Sequence, residues 1–496
     1  MEPAWQIRSV ETPFHLGVLG DFSGRSDRVG PDAASPRRPI RVDRDNIRQV
    51  MSRLAPGCEA SLGDADGHVV SLRFTSMEDF HPDRLFQAVP LLDRFRQLRE
   101  KLLSPVTFEE GAAEVRAWGL LKHNEPVKPP QPAVAEPPPR SAASLLEQAI
   151  SQTPPAVESR RPAPLRGDLA ELVRRAAEPY RLAKPAPDQA DVIACVDTVV
   201  GRLIRSVLHD PRFQAVEAAW RGLDFLVRRL PTGPRLKVFL VDVSLPELAA
   251  DLGAAQNIES SGIWRLLVEQ TVGTPGGQPW GALLGNYAFG ATTADLLLAG
   301  CLAKIAAGAG APFLAGGSPR LFGCESLVAT PDPADWRAEL PEKVGHAWEQ
   351  VRSLPEAASL GLALPRFLLR MPYGPNGSRV ESFAFEELPD PAEHESYLWG
   401  NPAFAGGYLL GQAFHQRGWQ MRPQNAMEID DLPVYAYERD GEYEVYPCAE
   451  TLLSERTAER ILAAGLLPLL SIKGSGAARL MAWRSVAASG EGLAGA

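Results

Sequence analysis

The chain has 496 residues, 45% of them hydrophobic and 23% charged, which is the mixture of an ordinary globular protein with length for roughly two to four domains. A formal charge of -10, from 51 Lys and Arg against 61 Asp and Glu, gives no general attraction to nucleic acid or to an anionic membrane surface. Met1 to Arg8 lacks the apolar run of a signal peptide, and the longest apolar stretch, Ala291 to Leu314, carries Asp295 and Lys304, so a cytoplasmic protein without membrane insertion is expected.

The first predicted elements are strands. His15-Leu-Gly-Val-Leu-Gly20 and Val69-Val-Ser-Leu-Arg-Phe74 are short apolar or alternating runs bounded by Gly, Asp and Pro, and they predict a small sheet at the start of the first domain. Leu85, Val89, Leu92, Phe95 and Leu98 then recur at helical spacing with Asp83 in the first turn, predicting a single helix with one apolar stripe. From Pro126 to Pro164, eleven of thirty-nine residues are proline, a composition that cannot bury enough apolar area to offset its ordering entropy, so this stretch reads as a tether.

Beyond the tether, Val192, Val196, Val199, Leu203 and Val207 share a helical face, and His209-Asp-Pro211 forces a break before a second helix through Trp220. Leu236 to Val243 is apolar and β-branched, as an inner strand requires. Trp280 to Tyr287 and Ala311 to Gly317 read as strands around an Ala/Leu-rich helix over 291–307, a β-α-β order. The fold class is therefore α/β (α+β): a domain over 1–122, a Pro-rich linker over 123–188, and a larger domain over 189–490, with mixed sheets and flanking helices.

Motifs for chemistry are sparse. No GxxxxGK[ST] phosphate loop occurs, and Gly273-Thr-Pro-Gly-Gly-Gln-Pro279 has glycines without the lysine. Ser318 and Ser471 stand outside any GxSxG elbow, the eight histidines form no HxxxH or HxH pair, and Cys58, Cys195, Cys301, Cys324 and Cys448 form no CxxC, reading as reduced thiols. The acids of Met77-Glu-Asp-Phe-His-Pro-Asp83 read as helix-capping groups. Trp220, Trp264, Trp280, Trp399 and Trp419 fall at element edges, where core packing or contact between subunits is expected. No catalytic, cofactor or metal residue is assigned, so an enzyme is not expected; the alternative is an α/β enzyme whose site comes together only in three dimensions.

Two sets of strings carry a family resemblance. Pro13-Phe-His-Leu-Gly-Val-Leu-Gly-Asp-Phe-Ser-Gly-Arg25, Val42-Asp-Arg-Asp-Asn46 and Phe74 to Asp83 resemble the small contractile-sheath subunit of bacterial type VI secretion systems, the TssB/VipA type. Phe213 to Val227, Gly281 to Phe289, Ala311 to Gly323, Leu360 to Gly374, Leu453 to Arg456 and Gly465 to Ser471 resemble the large subunit, the TssC/VipB type. The resemblance implies a fusion of the two, acting as a structural component or assembly factor of the sheath. It also implies partners: other sheath subunits, inner-tube and baseplate proteins, and a ClpV-type ATPase. Ser141 to Thr153, with Leu145, Leu146 and Ile150 on one side of a short amphipathic helix, resembles that ATPase's recognition helix. Asp21, Phe22, Arg25, Trp220 and Arg221, within the matching motifs, are the candidate residues for contact between subunits. Family members continue past the region around Ser471, so the C-terminal region of the large sheath protein is expected to be missing, which leaves open an accessory or capping protein that forms no tubes.

Overall fold

A computed structural model describes residues 11–26, 38–63, 67–118, 188–337, 339–390, 393–439 and 442–495. In chain order its strands are β1 (Phe14–Gly20), β2 (Ile40–Val42), β3 (Gly57–Ser61), β4 (Val69–Arg73), β5 (Leu236–Asp242), β6 (Trp280–Phe289), β7 (Phe313–Gly317), β8 (Leu360–Leu364), β9 (Phe367–Leu368), β10 (Trp399–Gly400), β11 (Glu428–Ile429), β12 (Tyr435–Arg439), β13 (Glu442–Tyr446), β14 (Leu467–Ser471) and β15 (Ala478–Leu480). The helices are α1 (Ile47–Leu54), α2 (Pro82–Ala88), α3 (Asp93–Leu103), α4 (Phe108–Ala117), α5 (Gln189–Leu208), α6 (Pro211–Arg229), α7 (Leu245–Ala254), α8 (Thr293–Ala309), α9 (Glu342–Ser353), α10 (Pro402–Arg417) and α11 (Glu455–Ala463). The chain divides into two compact units, residues 1–94 with 197–496 and residues 95–196, a division drawn differently from the segments 1–122 and 189–490.

The larger unit is built on a nine-stranded sheet of order β11-β15-β14-β8-β7-β6-β1-β5-β2. Six neighbouring strands, β14 to β5 in that order, run parallel; β2 pairs antiparallel with β5, and β15 antiparallel with β14 and β11. Parallel strands need both faces covered, and the apolar runs provide for it. On one face Leu19, Leu283, Phe313 and Leu362 join Leu302, Ala303 and Ala306 of α8 in one core. On the other, the Phe14 ring lies 4.9 Å from that of Phe414 in α10. Helix α6 crosses α10 at Gly222, where a Cβ would stand 2.3 Å from the Phe404 ring.

Three expectations change. His15–Gly20 and Val69–Phe74 do not share a small sheet: β1 is buried at every position and enters the main sheet, whereas β4 is buried only at alternate residues and pairs antiparallel with β3. The helix expected through Leu85 to Leu98 is broken, because Pro90 lacks an N–H and holds Val89 extended at φ -81°, ψ 112°; a 3₁₀ turn at Pro90–Leu92 precedes α3. The buried stripe of α5 is Val192, Val196, Val200, Ile204 and Val207, with Val199 and Leu203 only half-buried at its margin. The break at His209-Asp-Pro211 and the β6-α8-β7 unit form as predicted, with the Asp210 carboxylate capping α6.

The smaller unit carries α4, most of α3 and the opening turns of α5. Phe95 meets Trp118 edge to face at 5.5 Å, Lys101 pairs with Glu110 at 2.8 Å, and the Gln189 amide donates to the Leu102 carbonyl at 2.6 Å, satisfying one of the carbonyls at the end of α3. The stretch 126–164 and Leu145, Leu146 and Ile150 lie outside the described residues. No helix among the described residues is long and apolar enough to cross a membrane.

Candidate assembly junction

The N-terminal segment enters the larger unit through β1, which pairs in parallel with β5 from Phe14↔Leu236 to Gly20↔Asp242 and with β6 on its other side. Leaving the sheet, the chain turns around a carboxylate. Asp242, at the end of β5, accepts the N–H groups of Phe22 at 2.9 Å and Ser23 at 3.1 Å through one oxygen, and its other oxygen pairs with the Arg25 guanidinium at 2.8 Å. Asp21 accepts the N–H groups of Arg25 and Ser26 at 2.9 and 2.8 Å, closing the turn locally. Gly24 makes the turn possible: its φ is +65°, and a Cβ there would lie 2.2 Å from the Gly57 carbonyl oxygen.

Phe22 and Trp220 are fully buried and meet edge to face at 5.7 Å, while the Trp220 indole donates to the Phe22 carbonyl at 2.7 Å. Four of the five singled-out residues, Asp21, Phe22, Arg25 and Trp220, therefore gather in one knot joining residues before the tether to residues after it. The fifth, Arg221, faces a different group.

Arg221 Nε pairs with Glu217 at 2.7 Å and its Nη2 donates to the Tyr373 hydroxyl at 3.0 Å. Glu217, with no exposed surface, also holds Arg370 Nε at 2.9 Å, and Arg370 reaches both oxygens of Glu387 at 2.7 and 2.8 Å. The Tyr373 N–H closes the set on Glu387 at 2.6 Å. Burial pushes the Glu217 carboxyl up, but Arg370 and Arg221 outweigh it and the group is held below the usual carboxylate range; burial works against the Arg370 charge too, and its two carboxylates hold it protonated. Two cations face two anions, so charge is balanced and α6 is fastened to the segments around 370 and 387. Sequence reasoning missed this set because Glu217 and Arg370, which meet at its centre, lie 153 residues apart. The available signal was one charged residue inside each of two otherwise apolar strings, Glu217 in Ala-Val-Glu-Ala-Ala-Trp and Arg370 in Phe-Leu-Leu-Arg-Met.

An open groove of about 620 Å³ lies beside this cluster, lined by Met77, His81, Asp83, Arg221, Tyr373 and Glu381 among others. Its acids depart in part from the capping role expected of them. Asp79 forms a capping box with Ser76, but α2 is capped by His81 Nδ1, and Asp83 instead accepts the N–H groups of Glu381 at 3.1 Å and Ser382 at 2.9 Å.

The structure also gathers His394, Glu395 and Glu450, whose ligand atoms lie within 4.8 Å of one another. A guanidinium supplies the cation at this place: Arg366 stands 2.5 Å from Glu450 and 3.1 Å from Glu395, and His394 Nε2 is 3.1 Å from Glu450. Burial pushes the Glu450 carboxyl up, but His394 and Arg366 overcome it and hold the group at about 2. The remaining singled-out side chains have structural partners. Ser318 caps a 3₁₀ turn through Arg320 N–H, and Ser471 accepts the Ala449 N–H at 2.7 Å. The five cysteines form no disulfide; Cys58, Cys324 and Cys448 are buried and Cys195 and Cys301 half-buried.

The fold and junction define an α/β protein in which two segments, separated in sequence by residues 119–187, complete one sheet and are sealed by buried polar contacts. Residues 190–487 match the family model for VipB, described as the EvpB/VC_A0108 tail sheath N-terminal domain, and residues 2–114 match the model for VipA of the type VI secretion system, described as VipA, VC_A0107 or Hcp2. The chain belongs to the tail sheath family, with a TssB/VipA-type segment followed by a TssC/VipB-type segment. Among curated proteins it is similar to the type VI secretion system sheath protein TssC1 of Pseudomonas aeruginosa, 33% identical over 290 residues that make up 57% of this chain and 58% of that protein. It is also similar to sheath protein TssB1 of the same organism, 26% identical over 109 residues, 21% of this chain and 62% of that protein. The chain thus spans less than two thirds of the length of each of these relatives.

Proposed function

We propose that this chain is a structural component of a type VI secretion contractile sheath, working in the cytoplasm, in which the TssB/VipA-type and TssC/VipB-type parts form one folding unit within one polypeptide. The observation that carries the reading is β1: a strand from the VipA-type segment sits between two strands of the VipB-type segment. Fusion keeps the two parts at one to one and supplies each with its partner at high effective concentration. The partners are other sheath subunits, the inner tube and the baseplate. Negative-stain microscopy of the purified chain, alone and mixed with sheath subunits, tests the proposal. Incorporation into tubes is expected; discrete particles that neither form tubes nor join or alter those of the sheath subunits would overturn it.

The same reading makes residues 141–153 the segment gripped by a ClpV-type ATPase through Leu145, Leu146 and Ile150. A peptide of this sequence is expected to retain the ATPase, and a peptide carrying Leu145→Asp and Leu146→Asp to lose it. Equal retention by both would end this part of the proposal.

A further inference from the structure

The groove beside the buried ion cluster has a volume of about 620 Å³, within the range of ligand clefts, about 300 to 1,000 Å³. It lies where the two segments meet. One wall is Met77, His81 and Asp83, from the 3₁₀ turn at Met77–Phe80 and the start of α2; the other is Arg221 of α6 with Tyr373 and Glu381 of the loop that follows β9. The His81 and Tyr373 rings meet edge to face across it at 4.9 Å.

Three donors lining this groove lack acceptors among the described residues. Tyr373 is 3% exposed; its hydroxyl oxygen accepts from Arg221 Nη2 at 3.0 Å, and its own proton goes unaccepted. Burial raises the phenol's pKa against the pull of Arg370 and Arg221, so that proton stays in place. Arg221 spends Nε on Glu217 and Nη2 on Tyr373, which leaves Nη1 unpaired. His81 Nδ1 accepts the Asp83 N–H at 3.2 Å, which puts the ring proton of the neutral imidazole on Nε2, the third donor. The acids are occupied to different degrees. Asp83 accepts the Glu381 and Ser382 N–H groups and Glu78 pairs with Arg48, whereas the exposed Glu381 carboxylate meets no cation among the described residues. Arg84, also exposed, reaches only the Gln87 amide oxygen, at 3.4 Å.

We infer that this groove binds the C-terminal end of a peptide carrying a basic side chain, its carboxylate held by Arg221, Tyr373 and His81 and its basic group by Glu381. Polar groups taken out of water without a partner are costly, and an incoming carboxylate satisfies all three donors at once. Charge selects the carboxylate over a phosphate. Glu78, Asp83 and Glu381 line the groove against Arg84 and Arg221, and Arg221 is already balanced by Glu217, so a dianion would meet net repulsion. A single carboxylate accompanied by a cation leaves the charge unchanged, and the volume leaves room for the peptide behind it. Because the walls belong to the VipA-type and VipB-type segments, an occupant bridges the two and favours their joined state. The inference goes beyond the sheath proposal and takes nothing from it, so tube formation and peptide binding stand or fall separately.

The test is isothermal titration of the full chain with the tripeptide Gly-Gly-Lys, beside its C-terminally amidated form, Gly-Gly-Gly and inorganic phosphate. Saturable binding of Gly-Gly-Lys is expected, weakened about tenfold or more by amidation, which removes the charge that strengthens its hydrogen bonds. Tyr373→Phe keeps the ring and deletes the donor proton, and is expected to weaken the peptide about fivefold or more. Glu381→Gln changes an exposed side chain with no partner among the described residues; it is expected to weaken Gly-Gly-Lys about two- to fivefold and to leave Gly-Gly-Gly unchanged. Urea midpoints of both variants separate a lost contact from a lost fold, and that of Glu381→Gln is expected to match the parent. No saturation at millimolar peptide, equal binding of the amidated form, phosphate binding as tightly as Gly-Gly-Lys, or affinities that ignore both substitutions would each overturn the inference.

Discussion

His15 sits on β1 in the middle of the sheet, 7% exposed, with its ring 4.9 Å from Phe239 and its Nε2 without a hydrogen-bond partner among the described residues. Burial first, then Lys237 and Arg41, lower its pKa from 6.5 to about 4. The folded state therefore resists a proton that the unfolded chain accepts. Stability from this site is complete above about pH 6.5 and is lost as the pH falls toward 4, by up to about 3 kcal/mol. His15→Phe is expected to flatten the decline in urea stability between pH 7 and 4.5, and an unchanged slope would assign the decline to other groups. Arg370 makes the opposite case, a charge that the interior needs. Arg370→Ala leaves Glu387 buried without its guanidinium and Glu217 with Arg221 alone, and is expected to cost about 3 to 5 kcal/mol in chemical denaturation. Replacing Arg370 and Glu387 together, as R370M with E387Q, is expected to recover most of that loss, because Glu217 keeps Arg221 and no buried charge is left without a partner.

At the scale of elements, the sheet itself joins the two segments, apart from the covalent chain between them. β1 lies between β5 and β6 with every residue buried, and the Phe22–Trp220 contact and the Asp242 turn seal its exit. A protease site placed at Pro139 and cut after folding is thus expected to yield two fragments that co-elute on gel filtration in native buffer and separate only in denaturant. Separation in native buffer would mean that the tether, and not the strand, holds the segments together. The local punctuation behaves by simple rules: Pro90 ends α2, and Asp210 with Pro211 starts α6.

Over the larger unit, shared strands imply shared stability. Phe22 belongs to the first 94 residues yet packs on Trp220, so Phe22→Ala is expected to destabilise the unit as a whole by about 3 to 5 kcal/mol. Hydrogen exchange is expected to rise in β5 and β6 together with β1. Faster exchange confined to residues before the tether would show that the N-terminal segment opens by itself.

Much of this was legible locally. The apolar runs of β1, β5 and β6, the Ala/Leu-rich α8, the break before α6 and the Pro-rich stretch 126–164 follow from hydrophobic periodicity and from proline's missing N–H, which act within a few residues. The motif residues Asp21, Phe22, Arg25 and Trp220 could be singled out from their strings, but not the knot they form. What only the tertiary structure decided are the long-range partners: β1 inside a sheet whose neighbouring strands lie more than 200 residues away, and Arg370 between Glu217 and Glu387. An apolar strand specifies that both its faces must be covered. Which strands flank it, and which buried anion meets which cation, depend on how all the apolar faces are covered at once, and no short stretch of sequence contains that.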